Sequence, residues 1–77
     1  MLSTSTQKIQ ASGYEATLRI KCRDGVYSGS LEDLPDDLKT VEHPLINDSG
    51  AHTLRENVIA WGKLRLAALV KLKERPH

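Results

Sequence analysis

The sequence contains no phenylalanine, one tryptophan, two tyrosines and one cysteine in 77 residues. So little aromatic mass leaves neither a large aromatic core nor an exposed stacking platform for nucleic-acid bases. A lone cysteine, Cys22, excludes an intramolecular disulfide and a thiolate metal cluster, and points to a reducing compartment or to indifference about redox state, with the cytosol as default. No apolar run approaches the roughly 18 residues of a membrane span, and MLSTSTQKIQASG at the N-terminus lacks the apolar stretch of a signal peptide. The expectation is therefore a cytoplasmic chain that is neither secreted nor inserted in a membrane. A glycine-rich phosphate loop is missing as well.

What is present makes one small domain. A chain of this length buries only about 60% of the surface its unfolded form exposes, so its core is thin and a second copy is an attractive source of further burial. A homodimer is expected on that ground. The net charge is only +1, but it is unevenly spread. Residues 1 to 30 sum to +2, residues 31 to 52 to −5, and the remainder to +4. An acidic middle between two basic flanks reads either as internal charge balance or as an acidic surface for a basic partner.

Residues 1 to 12, rich in Ser, Thr and Gln, read as a tail that stays disordered unless something docks it, leaving 13 to 77 as the folded domain. From Tyr14 a strict period of two begins: Tyr14, Ala16, Leu18, Ile20 and Cys22 alternate with Glu15, Thr17, Arg19, Lys21 and Arg23. That is the pattern of a strand with one buried and one wet face. Asp24-Gly25 then forms a type I′ turn, which places Cys22 opposite Tyr27, Ile20 opposite Gly29 and Leu18 opposite Leu31. Gly29 offers Ile20 no side chain, which suggests a bulge or the close approach of another element.

Beyond Leu34-Pro35 the sequence is less regular. Asp36 to Thr40 has room for one helical turn, and Lys39 to Ile46 contains a third strand at a sheet edge in this reading, interrupted by Pro44. Thr53-Leu54-Arg55-Glu56 fits a capping box opening a helix that runs to about Glu74. On the helical wheel Leu54, Val58, Trp61, Ala68, Leu69 and Leu72 form one stripe, while Ile59, Leu66 and Val70 gather on a second flank. A helix apolar on two sides touches two things, its own sheet and, in this reading, a symmetry mate. Gly62 in its interior costs roughly 1 kcal/mol of helix propensity and permits close backbone packing. The fold class is α+β: a small antiparallel sheet, a hairpin or three strands, packed by one long C-terminal helix.

No catalytic or metal constellation emerges. His43 and His52 lie nine apart with Pro44 between them and show no zinc-type spacing, and Cys22 points to the buried face, where a free thiol behaves as a small hydrophobe. The chain reads as a non-enzyme with no cofactor and no metal. Basic residues of the helix lie on nearly every side of the wheel, whereas a phosphate-tracking surface needs them together. A nucleic-acid reading would use the row Arg19, Lys21 and Arg23 on the outer face of the first strand, with Lys63, Lys71 and Lys73 on the helix. Trp61 reads as core.

The order of Tyr14, the Asp24-Gly25 hairpin, "YSGSLEDLP" from Tyr27 to Pro35, and "TLREN" opening a helix at Thr53 resembles the N-terminal domain of HicB-type antitoxins. The likeness spans about residues 14 to 72. The glycine that usually follows Asp-Leu-Pro is Asp36, seventeen residues separate Pro35 from Thr53, and the family's last strand and C-terminal DNA-binding module have no counterpart in these 77 residues. The resemblance implies a partial ferredoxin-like sheet with a helix on one face, and a role in covering a small basic ribonuclease rather than binding an operator. It makes Glu32, Asp33, Asp36, Asp37 and Glu42 the expected partner-binding residues, with a small non-enzymatic protein-binding module as the function. The alternative is a small nucleic-acid-binding accessory protein.

Overall fold

The alternation of Tyr14 to Arg23 sets the register of the whole sheet. In the computed structural model, described here for residues 2–39 and 47–74, β2 (Tyr14–Arg23) is the central strand of three, between β1 (Leu2–Ala11) and β3 (Val26–Glu32). Both pairings are antiparallel and both hairpins close with two residues, Ser12-Gly13 and Asp24-Gly25. All four turn residues have positive φ, from 53° to 81°, as a type I′ turn requires. The expected pairs Cys22 with Tyr27, Ile20 with Gly29 and Leu18 with Leu31 all form.

One expectation is overturned. Residues 2 to 11 are not a tail but a full strand, paired along its length with β2 from Leu2 opposite Arg23 to Ala11 opposite Tyr14. The third strand of the sheet is thus supplied ahead of the hairpin. The segment expected as a third strand lies mostly outside the described residues, and Lys39, at its start, closes the short helix α1 (Asp36–Lys39).

Helix α2 (Arg55–Glu74) lies across one face of the sheet. Its buried residues are Val58, Gly62, Leu66, Leu69 and Val70, which together with Ile9, Ala16, Leu18, Ile20, Leu31 and Leu38 form one continuous core. The buried stripe therefore draws on both flanks of the helical wheel and is centred between them, on Gly62. Leu54 and Leu64, 52% and 72% exposed, stay outside it.

Both glycines mark places where helix and sheet meet closely. A Cβ on Gly29 would stand 2.5 Å from Val58 Cγ1, and one on Gly62 would stand 3.1 Å from both Ile9 Cδ1 and Leu18 Cδ1. Gly29 is thus a site of close approach and not of a bulge, since the ladder runs past it unbroken.

The helix begins one residue later than a cap at Thr53 would place it. Leu54 takes the N-cap position, its carbonyl accepting from Asn57 N at 3.2 Å. Among the described residues neither the Thr53 hydroxyl nor the Glu56 carboxylate makes a capping hydrogen bond.

Candidate functional site

Two surfaces follow from the sequence, an acidic corner and a basic row, and the fold partly joins them. Glu32 ends β3, Asp33 makes the turn with φ 50°, and Asp36 and Asp37 open α1. Glu42 lies outside the described residues. The corner stands on a fixed frame, because Leu31 before it and Leu38 within α1 are both buried in the core.

Glu32 and Asp37 of this corner are committed internally. Glu32 Oε1 lies 2.7 Å from Arg19 Nε across the β2–β3 pair. Asp37 Oδ2 lies 2.9 Å from Lys73 Nζ, which also donates to Tyr14 Oη at 2.6 Å and sits 5.1 Å from the centroid of that ring. Hydrogen bonding and charge from Lys73 hold the Asp37 carboxyl below the usual carboxylate range, while Tyr14 first and Asp37 second hold the Lys73 ammonium above its own. This cluster ties α1, β2 and the last turn of α2 together. Asp33 remains exposed and, among the described residues, takes no ion pair.

The basic row is real as geometry. Arg19, Lys21 and Arg23 alternate along β2 on the face away from α2, and the register brings Thr4, Thr6 and Lys8 beside them on one side and Ser28 and Ser30 on the other. Its charge is reduced from within. Arg19 is paired with Glu32, and Lys8 lies 3.3 Å from Glu15, whose carboxyl is held low by Gln10 and by Lys8. A shallow depression of about 170 Å³ between Arg19, Lys21, Ser28, Ser30 and Asp48 has a carboxylate in its wall, which opposes an anion there. Lys63 and Lys71 are exposed on α2, whereas Lys73 is engaged as described. The six basic candidates do not form one surface.

The histidine, cysteine and tryptophan candidates have structural employment. His52 exchanges two backbone hydrogen bonds with Tyr27, of 2.7 and 2.8 Å, and its Nε2 lies 3.0 Å from Ser49 O. His43 is outside the described residues. Among those described, no three His, Cys, Asp or Glu side chains gather as a metal site. Cys22 is a half-buried free thiol on the helix-facing side. Trp61 packs half-buried against the core with the Arg65 guanidinium 5.1 Å above its ring. No helix among the described residues is long and apolar enough to cross a membrane.

Sequence reading missed the device that closes the outer edge of β3. Tyr27, Gly29 and Leu31 point their backbone groups away from β2, and residues 47 to 52 satisfy all of them. Asn47 accepts from Leu31 N through Oδ1 at 2.8 Å and donates to Leu31 O through Nδ2 at 2.9 Å. Ser49 accepts from Gly29 N through Oγ at 2.8 Å and donates to Gly29 O through its backbone N at 2.9 Å. His52 completes the series with Tyr27. The available signal was Asn-Asp-Ser-Gly, a run of side chains able to imitate backbone groups, read only as a loop.

Comparison of the chain with family models, characterised proteins and solved structures finds no match.

Proposed function

We propose that the protein is a non-enzymatic protein-binding module that holds a basic partner against the acidic corner where β3 passes into α1. One observation carries this reading: Asp33, Asp36 and Asp37 are all exposed along a five-residue stretch, and the chain on both sides of Asp33 is pinned by buried Leu31 and Leu38. Charge displayed on a fixed frame costs little ordering when a partner docks. With Glu32 and Asp37 answering Arg19 and Lys73, Asp33 leads the attraction. The HicB-type resemblance supplies the kind of partner, a small basic ribonuclease whose RNA site a set of carboxylates would cover.

The test is capture of a basic protein from the native host by the tagged chain and by Asp33→Lys/Asp36→Lys. Reversing two charges at a docking surface weakens such a complex by about tenfold or more, mostly through slower association. Melting curves accompany the comparison, because a lysine at the positive φ of Asp33 costs roughly 1 kcal/mol. Equal capture by both proteins would remove the acidic corner from the reading. A second reading rests on Lys21, which lies between Thr4 and Ser28, and on Arg23 beyond it on the same strand face. Salt-sensitive capture of RNA that is lost in Lys21→Glu/Arg23→Glu would favour it instead.

A further inference from the structure

The two edges of the sheet are treated differently. The outer edge of β3 is filled by residues 47 to 52, leaving Tyr27, Gly29 and Leu31 fully bonded. The outer edge of β1 is ten residues long, roughly 33 Å of strand, and among the described residues no backbone hydrogen bond reaches it. The two-residue turn at Ser12-Gly13 makes Ala11 and Tyr14 a hydrogen-bonded pair, so the odd-numbered residues of β1 bond to β2 and the even-numbered ones face outward. The same rule applied to Asp24-Gly25 sends Tyr27, Gly29 and Leu31 outward, as observed. Leu2, Thr4, Thr6, Lys8 and Gln10 thus present unpaired N–H and C=O groups, and all five are exposed. Of the usual protections the edge has a single charge, Lys8, and neither a proline nor a bulge.

We propose that β1 is a dimerisation strand, pairing antiparallel with β1 of a second copy about a twofold axis at Thr6. This does not depend on the acidic-corner reading. The occupant follows from the two edges taken together. Since the β3 edge is already filled, copies can add strand to strand only through β1, and a strand pairing with its own equivalent closes at two. The register follows from charge. With Thr6 facing its symmetry mate, Leu2 faces Gln10 and Thr4 faces Lys8 of the other copy. The whole of Leu2 to Gln10 is then paired, through five pairs of residues that each exchange two hydrogen bonds. Sliding the strands until Lys8 faces Lys8 sets like charges opposite and leaves the first residues unpaired. The product is a six-stranded sheet with both copies of α2 on the same face.

Analytical ultracentrifugation of the full chain tests this, the expected species being two 8.6 kDa chains. Thr6→Pro removes an outward N–H without touching the β1–β2 ladder. It raises the dimer dissociation constant by more than roughly tenfold while the circular dichroism spectrum is retained. Thr4 gives a register-specific readout that does not rely on proline being tolerated: Thr4→Lys, facing Lys8 of the other copy, weakens the dimer by roughly tenfold, and Thr4→Glu tightens it. A wild-type chain that stays monomeric at high micromolar concentration overturns the proposal. So does a dimer indifferent to Thr6→Pro, or one in which both Thr4 changes act alike.

Discussion

Gly29 and Gly62 show how one missing side chain fixes the distance between layers. At Gly29 an added Cβ meets the Val58 methyl at 2.5 Å and the Arg19 carbonyl oxygen at 3.2 Å, and Val58 is itself fully buried with nowhere to turn. Overpacking of this kind costs about 1 to 3 kcal/mol. Gly29→Ala should therefore lower stability by that amount in urea titration. Val58→Ala alone costs a similar amount by leaving a cavity, yet the double variant Gly29→Ala/Val58→Ala should be clearly less destabilised than the two losses combined, since each change relieves the other. Strict additivity would mean that Gly29 is not spaced by Val58. Gly62→Ala is the useful contrast. Its neighbours are the methyl ends of Ile9 and Leu18 at 3.1 to 3.2 Å, and the gain of roughly 1 kcal/mol in helix propensity offsets the crowding, so stability stays within about 1 kcal/mol of wild type.

Among the elements, α2 is well packed but poorly started. Leu54 stands at its N-cap, half exposed, where a side-chain oxygen would accept from one of the unsatisfied N–H groups of the first turn. Leu54→Asp should stabilise the protein by about 0.5 to 1 kcal/mol, and Thr53→Ala should leave it nearly unchanged; a loss from Thr53→Ala larger than the gain from Leu54→Asp would show that Thr53 caps the helix after all. How far each element is legible depends on the kind of signal it carries. The β2–β3 hairpin could be read to the residue because alternation and turn chemistry agree. The buried face of α2 could be read only in part, because Gly62 at its centre adds no hydrophobic weight to a wheel although the sheet comes closest there. β1 was the hardest. Its Ser3-Thr4-Ser5-Thr6 run buries nothing, Ile9 is its one residue in the core, and its stability comes from backbone pairing with β2. The Ser12-Gly13 turn, matching Asp24-Gly25 in chemistry, was the clue. The acidic corner was legible as composition, but that Arg19 and Lys73 would reach Glu32 and Asp37 depends on strand register and on where α2 ends.

At the scale of the whole molecule, the asymmetry between the two sheet edges decides what assemblies are open to it. In edge-to-edge pairing, one filled edge and one open edge would join chains in pairs and no further. If Asn47 and Ser49 are what keeps the second edge filled, removing their side chains should change the outcome in kind as well as degree. Asn47→Ala/Ser49→Ala deletes both side-chain bonds to Leu31 and the one to Gly29 N, at an expected cost of about 2 to 4 kcal/mol. It also leaves Leu31 N and O and Gly29 N unpaired at the far end of β3, so that β1 of one copy can join β3 of the next there, a head-to-tail contact that does not close. Light scattering should then rise with protein concentration in the variant and stay flat in the wild type, and adding Thr6→Pro to the variant should suppress the rise by blocking the β1 side of that contact. A destabilised variant that scatters no more than wild type would show that residues 47 to 52 contribute stability alone. The edge of β3 would then have to be guarded by its twist or by the side chains around it.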